Sequence, residues 1–191
     1  MEQIRSFIAI ELPGNIKESI RKWQDILKSG DPSGAKWVNP DSIHLTLKFL
    51  GNIDTQMIEA ITQSMKEAAQ PVVPFQLVIK ETGAFPNLRR AQVIWLGLGG
   101  ELEKLHLLQR RLECGLSALG FPEEKRAFSP HLTLARIHNY TSNEKRMILG
   151  NAVAGVKIEP NLFINVNSIN LMRSQLTRSG AIYSRLCSVE L

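Results

Sequence analysis

The chain has 191 residues, 43% of them apolar and 21% charged; that suffices for one well-packed domain or two small lobes sharing a core and excludes several independent domains. Its net charge of +5 and pI of about 9.4 attract polyanions without specifying one. No apolar run approaches the roughly 18 residues of a membrane span, the N-terminus lacks signal-peptide features, and two unrelated cysteines, Cys114 and Cys187, exclude a disulfide framework, so a reducing cytoplasm is expected.

In chain order, residues 5–12 (RSFIAIEL) read as a strand. Pro13 suits the first turn of a helix over 15–30, where Ile16, Ile20, Trp23 and Leu27 recur at steps of three and four and Gly30 and Pro32 mark the end. A strand over 42–50 closes at Gly51-Asn52. Asp54 is placed to cap a helix over 55–69 with Ile58, Ile61 and Met65 on one face, and Pro71 stops it. Strands over 74–83 and 91–99 flank a loop at Pro86-Asn87. The longest helix, 101–120, carries a stripe of Leu102, Leu105, Leu108, Leu112 and Leu116. A strand over 131–138, a short helix capped by Ser142 and running to about 151, and strands within 162–176 and 181–191 complete the chain. Strand runs mixed with helices, without a steady βαβ rhythm, predict an α+β fold with antiparallel sheets.

The tetrapeptide His-Leu-Thr-Leu occurs twice, at 44–47 and 131–134, and takes two of the four histidines of the chain. The repeat predicts one bilobal domain over 1–191, with lobes roughly 1–100 and 101–191, each offering one copy to a central cleft. Side chains alternate along a strand. Regular alternation puts His44, Thr46 and Lys48 on one face and Leu45, Leu47 and Phe49 on the other; His131 and Thr133 share a face opposite Leu132 and Leu134. An imidazole exchanges a proton near neutral pH, and a hydroxyl two residues on donates to a neighbouring oxygen. Two such strands across a cleft suit displacement at phosphorus, where attacking and leaving oxygens lie in line and acid and base stand on opposite sides. Isolated His106 and His138 read as structural or surface residues, and four scattered His with two isolated Cys make no zinc site. No phosphate-binding glycine loop and no serine-nucleophile elbow occur.

With the flanks RSFIAIELP, KWVNPDSIHLTLKFLG, GAFPNLRRAQVIWLGL, FSPHLTLAR and LMRSQLTRSGAIYSRL, the chain resembles the two-histidine (2H) phosphoesterase superfamily over nearly its whole length. The likeness is to its RNA 2′,3′-cyclic phosphodiesterase branch, formerly called 2′-5′ RNA ligase. The resemblance implies a bilobal fold with a water-filled cleft between two antiparallel sheets, no cofactor and no metal. It implies hydrolysis of a terminal 2′,3′-cyclic phosphate of RNA, or of a related nucleotide, to a 2′-phosphate. By motif position, His44 is the implied proton donor and His131 the proton acceptor. Thr46 and Thr133 would hold phosphate oxygens, and Arg136 matches a functional arginine five residues after the second His.

Arg136 conflicts with simple alternation, because five residues should put it on the face opposite His131. Either a bulge near Ala135 re-aims the chain or the side chain wraps round the strand end. Lys48, by parity on the pocket face, has no assigned role. Phe85, Arg89 and Arg90 near the hairpin tip are candidates for base and phosphate contacts, or ordinary loop residues. Tyr183 either lines the cleft or packs. The sequence leaves open 2′-5′ end ligation, exonucleolytic trimming, and a binding module without chemistry. A monomer is the default expectation, since no dimerisation motif is present.

Overall fold

The 2.0 and 3.6 periodicities resolve into strands and amphipathic helices in the order β1 (Gln3–Glu11), α1 (Gly14–Lys28), β2 (Ala35–Trp37), β3 (His44–Asp54), α2 (Ile58–Ala69), β4 (Phe75–Phe85), β5 (Val93–Gly100), α3 (Leu102–Ser117), β6 (His131–Ile137), α4 (Asn143–Ala154), β7 (Phe163–Val166), β8 (Ser168–Thr177) and β9 (Gly180–Glu190). The computed structural model describes residues 2–29, 34–159, 162–177 and 180–191; Gly30 and Pro32, the expected helix stop, lie outside them. Helix α1 buries Ile16, Ile20, Trp23 and Leu27, and α3 buries Leu105, Leu108, Leu112 and Leu116, so each helix presents one apolar stripe to the core. Asp54 Oδ1 accepts from the Gln56 N–H at 3.0 Å, capping a 3₁₀ turn at Thr55–Met57 that leads into α2. Among the described residues no helix is long and apolar enough to cross a membrane.

The strands form two sheets with every adjacent pair antiparallel, ordered β3-β1-β8-β9 and β2-β6-β5-β4-β7. The α+β expectation therefore holds. Each sheet takes strands from both sides of residue 100, so that position separates the two motif copies but not the two sheets. The segment expected as strand over 162–176 divides at Asn167, with β7 in the five-stranded sheet and β8 in the four-stranded one. Strand β2, three residues long, had no period from which to be read; it extends the second sheet beyond β6. Helices α2 and α3 pack together over the first sheet, against β9 and β3, while α4 packs on β4 of the second.

Both motif strands carry an extra residue directly after the threonine. Ala9 lies opposite Thr46 and Ile8 opposite Lys48, which leaves Leu47 unpaired in β3. Trp95 lies opposite Thr133 and Ile94 opposite Ala135, which leaves Leu134 unpaired in β6. These are β-bulges, and each reverses the side-chain alternation beyond it. The burial sequence is the same in both strands: half-buried His and Thr, two consecutive buried residues, then an exposed one.

Regular alternation therefore fails at Lys48 and Phe49. Lys48 turns inward, where its ammonium donates to Glu113 Oε2 at 2.5 Å and to the Pro122 carbonyl at 2.6 Å. Phe49 turns out onto the histidine face and is 66% exposed. Arg136 likewise comes onto the face of His131 and Thr133, and the residue that re-aims it is Leu134, directly before Ala135. A bulge leaves its carbonyl without a ladder partner, and a buried carbonyl needs a donor. Leu134 O receives two, from Val38 N at 2.9 Å and from Nε2 of the fully buried Gln24 at 3.1 Å.

Glu113 also accepts from Gln109 Nε2 and from the Glu124 N–H, so it ties β3 to the loop after α3. Removing one partner of a buried ion pair strands the other charge, whereas replacing both with apolar residues does not. Glu113→Ala is expected to lower the unfolding free energy by about 3 kcal/mol, and the double variant Lys48→Met/Glu113→Leu to recover most of it. Urea denaturation measures both; equal losses in the two would mean that the stranded ammonium is not the cause.

Candidate active site

The two motif histidines are fixed in the same way. His44 Nδ1 lies 2.9 Å from the Ser42 carbonyl and His131 Nδ1 lies 2.7 Å from the Ser129 carbonyl, each two residues upstream. A carbonyl only accepts, so both Nδ1 atoms carry the proton and both Nε2 atoms are left for chemistry. Ser42 ends a 3₁₀ turn capped by Asn39, and Pro130 stiffens the approach to His131.

Strands β3 and β6 belong to different sheets, yet they run close to one another. Leu45, Leu47, Leu132 and Leu134 all enter one common core. The opposite faces, with His44, Thr46 and Phe49 on one strand and His131, Thr133 and Arg136 on the other, therefore point away from that core. The two faces thus lie on strands that neighbour one another.

The surroundings of the two rings differ. His44 is stacked on Phe7, with ring centroids 4.6 Å apart, and meets the edge of Tyr183 at 5.0 Å. Burial among these rings holds its pKa below the usual 6.5; the Ser42 carbonyl and the Glu11 carboxylate act against the shift. Glu11 sits directly across the β1–β3 ladder from His44 and accepts from Arg185 Nε at 2.9 Å. His131 faces Gly97 across its ladder and meets the edge of Phe85 at 5.1 Å; Phe85 in turn lies 5.1 Å from Trp95. Trp95 stands beside Thr133 and lies flat across Gly83, where an added Cβ would fall 2.3 Å from the indole.

All five residues expected at the site, His44, Thr46, His131, Thr133 and Arg136, lie on these two faces. Lys48 does not. Tyr183 lines the face of the first sheet against His44, and Phe85 that of the second against His131. Arg89 borders a hollow with Gly83, Ala84, Asn87, Leu88 and Trp95, and Arg90 ends the 3₁₀ turn beside it. His106 packs edge-on to Phe128, and His138 stacks on Tyr140. Phe7, Glu11, Trp95 and Arg185 join the site unannounced by the sequence, because only strand register sets them beside the motifs. Among the described residues no group of three or more His, Cys, Asp or Glu is placed to hold a metal ion.

A family model, LigT like Phosphoesterase, matches this chain twice, over residues 10–95 and 98–183. Each match contains one histidine motif. The RNA 2′,3′-cyclic phosphodiesterase of Methanothermobacter thermautotrophicus is 32% identical over 182 residues, 95% of this chain and 96% of its own. That of Methanocaldococcus jannaschii is 33% identical over 180 residues, 94% and 96%. The crystal structure of Escherichia coli LigT complexed with 3′-AMP superposes with a TM-score of 0.78 at 28% identity, covering 100% of this chain and 99% of that one. Repeat, sheets and paired imidazoles thus converge with the comparisons: the chain belongs to the LigT-like phosphoesterase family.

Proposed function

We propose that this chain is an RNA 2′,3′-cyclic phosphodiesterase, a hydrolase that opens a terminal 2′,3′-cyclic phosphate to a 2′-phosphate. The observation that carries the reading is the matched pair of imidazoles, each with Nδ1 committed to a backbone carbonyl and Nε2 free. His131 Nε2 takes a proton from water. The water oxygen bonds to phosphorus as the P–O3′ bond breaks in line with it. His44 Nε2 gives its proton to the departing O3′. Thr46 and Thr133 donate to the non-bridging oxygens, and the Arg136 guanidinium offsets the charge that collects on them. The residues are complete for this step without a metal or cofactor. The E. coli relative holds 3′-AMP, a nucleotide with a phosphate on the ribose edge, which suits RNA ends and related nucleotides as ligands.

Ligation to a 2′-5′ bond, the reverse displacement, and exonucleolytic trimming would use the same imidazoles. The products decide between them. Purified protein, offered oligonucleotides with 2′,3′-cyclic ends in the presence of chelator, should yield 2′-phosphate ends only. Binding without turnover would make the chain a nucleotide-binding module instead.

Three outcomes follow from the roles assigned. His44→Ala and His131→Ala should each cut turnover by about 10²–10⁴-fold with an unchanged urea midpoint; near-wild-type rates in either variant would remove the general acid–base role. Arg136→Ala should lower kcat/KM for the cyclic end by about tenfold or more, and unaltered affinity and turnover would leave Arg136 a solvated charge. A proton donor must be charged before reaction, and the His44 pKa lies below 6.5. The kcat/KM of the free enzyme should therefore fall on the alkaline side from below pH 6.5. Glu11→Gln removes the carboxylate that supports the charged imidazole, so this limb should move to still lower pH. A limb that stays in place, or moves up, in a full pH–rate profile would count against His44 as donor.

A further inference from the structure

Strand β2 has no counterpart in the first sheet, where β3 is itself the edge. Its register sets Lys36 directly opposite Arg136 on β6. Cross-strand neighbours share a face, with Cβ atoms about 5 Å apart, and like charges so placed repel. Both side chains are exposed, and among the described residues neither forms an ion pair with an acid. The next residue across the ladder from Arg136 is the uncharged Val93, followed by Phe85. Two cations are thus held side by side with no acid paired to either among the described residues, an arrangement that an anion would relieve.

The place of this pair on the site follows from the bulge. With Leu134 out of register, Thr133 and Arg136 are successive residues on the histidine face, about 7 Å apart along the strand. Lys36 lies one strand further out. At the position equivalent to Arg136 the first sheet presents the uncharged Phe49, so the two motif strands differ there. An RNA end with a cyclic phosphate carries its next phosphate on the 5′ oxygen of the same terminal nucleoside.

We propose that Lys36 is a second phosphate seat, which takes the 5′-phosphate of the terminal nucleotide while Arg136 lies between it and the cyclic phosphate at Thr133. This rests on the cyclic phosphodiesterase reading and narrows its substrate. The preferred substrate is then an RNA end, or a nucleotide phosphorylated at both the 5′ and 2′,3′ positions, over a bare nucleoside 2′,3′-cyclic phosphate.

The test compares adenosine 2′,3′-cyclic phosphate, its 5′-phosphorylated form and a short oligonucleotide with a cyclic end, on the wild type, Lys36→Gln and Lys36→Arg. The wild type should prefer the two 5′-phosphorylated substrates by about tenfold in kcat/KM, mainly through KM. Lys36→Gln should lower that preference about tenfold, and Lys36→Arg should keep it. Binding of a fluorescent oligonucleotide ending in a 2′-phosphate should lose between about 0.7 and 1 from its log–log salt slope in Lys36→Gln. A preference equal in wild type and Lys36→Gln overturns the assignment. If no substrate turns over in the wild type, the phosphodiesterase reading fails, and an unchanged salt slope in the binding titration then removes the phosphate seat as well.

Discussion

One extra residue directly after the threonine of each motif strand governs the site. Leu47 in β3 and Leu134 in β6 have no ladder partner. Without them, alternation would carry Arg136 into the core and bring Lys48 out beside Thr46. With them, each strand keeps its leucines in the common core and adds a third residue to its outward face. A bulge of this kind persists only if its freed polar groups are satisfied. In β6 Gln24 supplies that from beneath, from a helix far away in sequence. In β3 the inward turn of Lys48 is made tolerable by Glu113 and the Pro122 carbonyl. Two buried polar contacts, on α1 and α3, thus underlie the geometry on the opposite side of the strands.

The same tetrapeptide reaches two different environments. His44 lies against Phe7 and Tyr183, next to a carboxylate held by Arg185. His131 meets the edge of Phe85 on a face that continues into Arg136 and Lys36. One copy is desolvated and aromatic, the other open and cationic. In a displacement at phosphorus the two imidazoles need opposite protonation states; for His44 burial works against the charged form, and the Glu11 carboxylate and the Ser42 carbonyl support it.

Much was legible along the chain. The leucine stripe of α3, the apolar steps of α1, the capping residues Asp54 and Ser142 and both motif strands follow from local periodicity and local hydrogen bonding, which neighbouring residues decide. Arg136 was legible as a problem, because its five-residue spacing from His131 violates a period of two. Its counterpart Phe49, at the same spacing from His44, violates the same rule, and nothing in its chemistry drew attention to it. Strand β2 and the break at Asn167 left no trace, since three residues carry no period and a strand that changes sheets reads as continuous.

The sequence by itself determined the helices and the long strands, the doubled His-x-Thr and the chemistry those side chains can perform, because these depend on residue type and near neighbours. Only the tertiary structure decided which residues stand beside them. Register placed Glu11 against His44, Trp95 beside Thr133 and Lys36 opposite Arg136. The bulges decided which residues face out. Both are settled by pairing between segments distant in the chain, where one residue of slip moves every later side chain to the other face.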